Sequence, residues 1–161
     1  MKQITLFNTA VCSHNTGDYI ITDAVKENLG YMFSKDMMFE TLTHSKISKE
    51  TYALVKGSDY SFVGGTNLLS SNMQRYNQWK INLLDSIYLK DTILMGVGWW
   101  QYQDKPSLYT KFLLNRVLSK NMLHSVRDSY TEKKMHELGI TNVLNTGCPT
   151  MWSLTKEHCA N

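Results

Sequence analysis

Hydrophobic positions along this chain switch repeatedly between two periods. Ile4 and Leu6 fall two apart and run into Phe7, the spacing of a half-buried strand. Gly17-Asp18 then opens a stretch in which Ile20, Ile21, Ala24, Val25 and Leu29 recur at helical spacing, and Gly30 reads as its C-terminal stop. Residues 37–42 form a second predicted strand, and Ser48 caps a short helix carrying Tyr52, Leu54 and Val55. An apolar strand over 60–63 ends at Gly64-Gly65. The apolar positions Tyr76, Trp79, Ile81, Leu83, Leu84, Ile87 and Tyr88 predict a helix over 73–90. A buried strand follows over 92–97, then a helix with Pro106 in its first turn and a face made of Leu108, Phe112, Leu113 and Val117. A fifth strand over 124–127, a helix over 129–138 stopped by Gly139, and a sixth strand over 142–146 complete the series.

Strands alternating with helices imply parallel pairing, so the predicted class is α/β: a Rossmann-like, doubly wound parallel sheet. The 161 residues suffice for one domain with a sizeable core. With 42% hydrophobic and 19% charged residues and two prolines, the composition is that of a globular chain rather than a disordered one. The net charge of +3 is spread thinly, which argues against a nucleic-acid partner. No apolar run approaches a membrane span, and Met1-Lys2 leads straight into a strand without a signal-peptide pattern, so a cytoplasmic location is expected. Cys12, Cys148 and Cys159 are odd in number and lack metal-ligand spacing; Cys12 and Cys159 read as small buried thiols. No metal site is expected, and His44, His124, His136 and His158 receive no role.

Candidate chemistry lies where the predicted strands end. Four breaks fall there: His14-Asn15-Thr16-Gly17-Asp18, Val63-Gly64-Gly65-Thr66-Asn67, Gly96-Val97-Gly98-Trp99 and Val126-Arg127-Asp128. In an open parallel sheet, ligands bind in the crevice outside the carboxyl ends of the strands, so the breaks predict one site. Gly17-Asp18 turns the chain sharply into a helix whose free amides attract anions. Asp18 is then either a plain first-turn acid or a base and hydroxyl ligand. One glycine there does not make a dinucleotide fingerprint, which argues against NAD. Gly64, Gly65 and Gly98 permit close backbone approach, Thr66 and Asn67 can bind hydroxyls, and Trp99 offers a face on which a sugar stacks or a core packs. Arg127 either pairs with Asp128 or presents its planar fork to a carboxylate or phosphate. His14 could exchange protons near neutral pH.

In their order and spacing, Asn15-x-Gly17-Asp18, Val63-Gly64-Gly65, Gly96-Val97-Gly98, Arg127-Asp128 with Leu138-Gly139-Ile140, and Thr146-Gly147-Cys148-Pro149-Thr150 resemble the polysaccharide pyruvyl transferase family. The resemblance implies the N-terminal domain of a GT-B-like two-domain transferase, with residues 1–152 as the Rossmann-like domain. Residues 153–161 would be a tail or the start of a link to a second domain supplied in cis or in trans. It further implies transfer of pyruvate from phosphoenolpyruvate to a glycan or lipid-linked sugar of a cell-surface or exopolysaccharide precursor, forming a ketal. A lipid-linked acceptor would bring the protein near a membrane surface. Catalytic Asp18, His14 and Arg127, and substrate-binding Asn15, Gly17, Gly64, Gly65, Thr66, Asn67, Gly98 and Trp99, are the residues so implied; no metal or organic cofactor is. Two other readings share the pattern: a nucleotide-sugar-dependent glycosyltransferase domain, and a non-catalytic sugar-binding or assembly domain.

Overall fold

The computed structural model describes residues 1–160, and of Glu157 and His158 the backbone alone. The larger elements follow the predicted alternation. They are β1 (Gln3–Asn8), α1 (Thr16–Met32), β2 (Met37–Leu42), α2 (Lys49–Gly57), β3 (Tyr60–Gly64), β4 (Asn67–Leu69), β5 (Thr92–Met95), β6 (Gly98–Trp99), α3 (Leu108–Val117), β7 (His124–Val126), α4 (Ser129–Glu137), β8 (Val143–Asn145) and a short α5 (Lys156–Cys159). The central sheet is parallel, in the order β2-β1-β3-β5. The parallel pair β7-β8 lies beside it, joined by a bridge between Val97 and Val126 and by the Gly96 N–H donating to the Ser125 carbonyl at 3.0 Å.

Alternation along the central strands divides the core between the two faces of the sheet. Ile4, Leu6, Phe62, Ile93 and Met95 pack with Val25 and Leu29 of α1 on one face. Phe7, Val63 and Leu94 point to the other, where Val55 of α2, Leu113 and Val117 of α3 and Met135 of α4 cover them. Helices thus bury both faces, as near-continuous apolar strands such as Thr92–Met95 require. The chain runs from β1 out to β2 and returns past β1 to β3. The sheet therefore has its topological switch point at the carboxyl ends of β1 and β3.

Glycines at those carboxyl ends let separate segments touch. The Gly65 N–H donates to the Met95 carbonyl at 3.0 Å, and a Cβ at Gly65 would run into the Gly96 carbonyl oxygen. Gly96 adopts φ +66° and faces the ring of Pro149, which closes the segment after β8 over the sheet edge. Gly65→Ala must therefore push β3 and β5 apart. It is expected to lower unfolding free energy by about 3 kcal/mol, measured by urea denaturation.

Beside β5 a buried histidine completes the ladder. The Leu94 N–H donates to His124 Nδ1 at 3.2 Å, so the ring carries its hydrogen on Nε2, which donates to the Ser119 carbonyl at 2.8 Å. Burial pushes the His124 ring below the usual imidazole range, against the opposing pull of that carbonyl. The unfolded ring takes up a proton as pH falls through about 6.5, whereas the folded ring resists it until lower pH. His124 therefore leaves stability intact above about pH 6.5 and removes it progressively as pH falls toward the folded value. The urea midpoint is expected to drop between pH 7.5 and 5.5, with a smaller drop in His124→Gln.

Several local expectations change. Residues 73–90 are not a helix but a run of turns with one short 3₁₀ turn at Asp85–Ile87. Polar side chains satisfy its backbone locally: Asn82 Oδ1 accepts from the Leu84 N–H (2.7 Å), Asp85 Oδ2 from the Asn82 N–H (2.6 Å), and Asn77 Nδ2 donates to the Ile81 carbonyl (3.1 Å). Tyr52 of α2 donates to Asp85 Oδ1 at 2.6 Å, which lifts the phenol to about 12 and pins the segment. Gly30 lies inside α1, which ends at Phe33 with the Phe33 N–H bonded to the Leu29 carbonyl. Ser107 caps α3, so Pro106 precedes the helix, and Leu108 and Phe112 are exposed while Thr110 and Leu114 are buried. Cys12 and Cys159 are exposed; Cys12 sits at φ +63° in the turn after β1, off the packed sheet.

Candidate active site

Two cavities open at the carboxyl edge of the sheet, and Asn67 lines both. The first, about 200 Å³, lies at the switch point between Asn15, Asp18, His44, Thr66, Asn67, Gln78 and Trp100. The second, about 350 Å³, is lined by Asn67, Trp99, Gln101, Tyr102, Arg127, Asp128, Ser129 and Tyr130.

Asp18 owes its position to the start of α1. Asn15 is the N-cap, its Oδ1 accepting from the Gly17 N–H at 3.0 Å, and a Cβ at Gly17 would press on that carboxamide. One helical turn on, Asp18 is only 6% exposed. It accepts from Ser13 Oγ at 2.6 Å and from Asn15 Nδ2 at 3.4 Å. Asp18 is thus both the first-turn acid and a wall of the cavity.

His14, next to Asn15 in the chain, is exposed and lines neither cavity. The imidazole in the Asp18 cavity belongs to His44, which follows β2. Its Nδ1 lies 3.0 Å from the Gln78 carbonyl. Trp100, half-buried, stacks on Tyr76 with ring centroids 3.8 Å apart and gives the same cavity an aromatic wall.

Arg127 follows β7 and does not pair with its neighbour. Asp128 is the N-cap of α4, its Oδ1 accepting from the Thr131 N–H (2.7 Å) and Oγ1 (2.9 Å). The ion pairs among the described residues, Lys26–Glu40 and Lys134–Glu137, leave Arg127 without a carboxylate. Its aliphatic stem crosses Gly98, where a Cβ would collide with it, and its Nη1 donates to Asn67 Oδ1 at 3.3 Å. Gly98 therefore positions the arginine rather than leaving open space for a ligand. Arg127, half-buried as a residue, leaves most of its guanidinium donors unpaired among the described residues, beside the N-terminal end of α4.

The second cavity's rim is latched. Tyr130 Oη accepts from the Gln103 N–H at 2.7 Å, and Trp99 Nε1 donates to Gln103 Oε1 at 3.2 Å. Gln101, at φ +55°, turns the chain over the opening. Trp99 is 3% exposed, a packed wall instead of a stacking platform. Gly64 meets the Val25 side chain at 3.1 Å from a notional Cβ, so its smallness serves the packing of α1 on β3. Among the described residues no group of three or more His, Cys, Asp or Glu side chains could hold a metal ion, and no helix is long and apolar enough to cross a membrane.

The sequence model of the polysaccharide pyruvyl transferase family matches residues 15–160. This chain belongs to that family. The match takes in each of the strand-end segments that line the cavities, from Asn15 to Asp128, and the Pro149 turn that packs on Gly96. No curated protein matches the chain, and no solved structure does. Within the pyruvyl transferase family name lie a transferred group, pyruvyl, and a saccharide acceptor. The two cavities differ in lining: Arg127 and Asp128 are the charged residues of one, and Asp18 stands with Asn15, Thr66, Asn67 and Gln78 in the other.

Sequence reasoning gave no site role to His44, Gln78 or Trp100 of the Asp18 cavity, nor to Gln101, Tyr102, Ser129 or Tyr130 of the Arg127 cavity. His44 carried a usable signal: it stands two residues beyond β2 and so at the same sheet edge as Asp18. Gln78 carried none, because its place depends on the segment after β4 folding back as turns.

Proposed function

We propose that this protein transfers a pyruvyl group from phosphoenolpyruvate to two hydroxyls of a sugar, forming a cyclic ketal and releasing phosphate. The observation that carries the reading is the guanidinium of Arg127, paired with no carboxylate among the described residues and set in a cavity that shares Asn67 with the cavity of Asp18. Phosphoenolpyruvate needs donors for a carboxylate and a phosphate, and a planar guanidinium beside a helix N-terminus supplies them. The acceptor sugar needs a hydrogen-bond acceptor to orient its hydroxyls. The Asp18 carboxylate, with Asn15, Thr66 and Asn67 around it, fits that need.

The chemistry follows. A general acid gives a proton to the methylene carbon of phosphoenolpyruvate, whose π electrons form the new C–H bond and leave a cation at the neighbouring carbon; the proton lost by the second hydroxyl later restores that acid. One sugar hydroxyl attacks there and loses its proton. Phosphate departs with its C–O electron pair, and the second hydroxyl, losing its own proton, closes the ring. The fixed charge of Arg127 accompanies the donor through these steps without reorganisation. A second domain of GT-B-like arrangement, in cis or in trans, would add the opposite wall of the cleft, and a cell-surface or lipid-linked precursor would be the acceptor.

The nucleotide-sugar reading is separated by direct competition. Ligand-observed NMR on an equimolar mixture of phosphoenolpyruvate and uridine diphosphate is expected to broaden the phosphoenolpyruvate signals and spare those of the nucleotide. The reverse pattern would favour glycosyl transfer, and broadening of neither would favour a non-catalytic domain.

A further inference from the structure

We infer that His44 is a catalytic residue: its Nε2 takes the proton from the sugar hydroxyl that attacks the donor. This rests on the pyruvyl-transfer reading above and adds to it the base which that chemistry needs.

The geometry fixes the ring and its tautomer together. A backbone carbonyl can only accept, so the 3.0 Å approach of His44 Nδ1 to the Gln78 carbonyl puts the hydrogen on Nδ1. In the neutral ring Nε2 then carries the free lone pair, and no protein partner among the described residues occupies it. The carbonyl itself is held. Trp79, the next residue, is completely buried and meets Phe7 of β1 edge-on at 5.5 Å, and the Lys80 N–H donates to the Thr43 carbonyl at 2.8 Å. The segments 43–44 and 78–80 therefore clamp one another beneath the cavity. A carbonyl that fixes the far nitrogen is the arrangement that orients an imidazole for proton transfer.

Among the described residues, Asp18 and His44 are the titratable side chains that line this cavity. Their chemistry differs. Asp18 already accepts from Ser13 and Asn15, which suits a fixed orienting group, whereas His44 Nε2 has its whole accepting capacity available. In the step assigned to it, the hydroxyl oxygen bonds to the cationic carbon, the O–H electron pair stays on oxygen, and the proton moves to Nε2. The departing phosphate, a proton acceptor near neutral pH, can carry that proton away.

The test compares native protein with His44→Gln and His44→Ala, each first matched to the native protein in thermal midpoint. Phosphoenolpyruvate affinity is measured by calorimetry. Phosphate release is then followed with methyl glycosides that present 1,2- or 1,3-diols, using whichever diol the native protein turns over. The expected result is phosphoenolpyruvate affinity within about twofold of native and turnover reduced about 100-fold or more in both variants, with free imidazole restoring part of the rate to His44→Ala only. Turnover within threefold of native, or a loss confined to phosphoenolpyruvate affinity, would overturn the assignment while leaving pyruvyl transfer standing. Native protein that binds phosphoenolpyruvate but releases phosphate with no diol would contradict the transfer reading itself, and the role of His44 would fall with it.

Discussion

Arg127→Ala is expected to weaken phosphoenolpyruvate binding by about 100-fold, because removing a charge-assisted bidentate pair from a partly desolvated site costs about 2–3 kcal/mol. The fold should survive. Among the described residues Arg127 makes one side-chain hydrogen bond, to Asn67, and no ion pair, so the change orphans no buried partner. A thermal midpoint within about 2 °C of native is the expected control. Arg127→Lys keeps the charge but loses the planar fork, and should fall between the two. Calorimetric titration of the three proteins checks the order. Equal affinity in all three would remove Arg127 from the donor site.

Asp18→Asn should act on the other half of the reaction. The substitution is isosteric, and the amide oxygen can still accept from Ser13 Oγ, so α1 is expected to remain in place. The negative charge at the first turn of the helix is lost, at about 0.5–1 kcal/mol. For a sugar hydroxyl the carboxylate is the stronger acceptor, and it favours the developing positive charge on a neighbouring imidazole. Turnover with a diol acceptor should fall about 100-fold while phosphoenolpyruvate affinity stays within about twofold. Parallel losses of affinity and turnover would instead mark Asp18 as a residue of the donor cavity.

The layout of the two cavities was only partly legible in the sequence. Strands β1, β3 and β5 were readable because each is a largely apolar, buried run ending at a glycine or polar break. By contrast β2, an exposed edge strand, and β7, a short His-Ser-Val run, were readable only from their place in the alternation. That pattern alone placed Asp18, Asn67 and Arg127 on one edge. Lateral order was not readable. The sequence does not say that β2 lies outside β1, and hence that the residues after β2, with His44 among them, close the pocket around Asp18. The run 73–90 shows how periodicity misleads when polar residues intervene. Trp79 and Ile81 are both buried although two positions apart, which would put them on different faces of a helix, while Asn77, Asn82 and Asp85 turn the backbone. That misreading hid Gln78, whose carbonyl aims His44. The glycines were read as places where a ligand comes close to bare backbone; at Gly65, Gly96 and Gly98 what approaches is the protein itself.

The most direct test of pyruvyl transfer at this edge is a crystal structure of the native protein, expressed from the full reading frame that contains these residues, with phosphoenolpyruvate bound. The expected result is the donor's carboxylate or phosphate within hydrogen-bond distance of the Arg127 guanidinium, with its methylene end toward Asn67 and the Asp18 cavity. A donor bound away from Arg127, with the cavity between Trp99 and Tyr130 left empty, would contradict it.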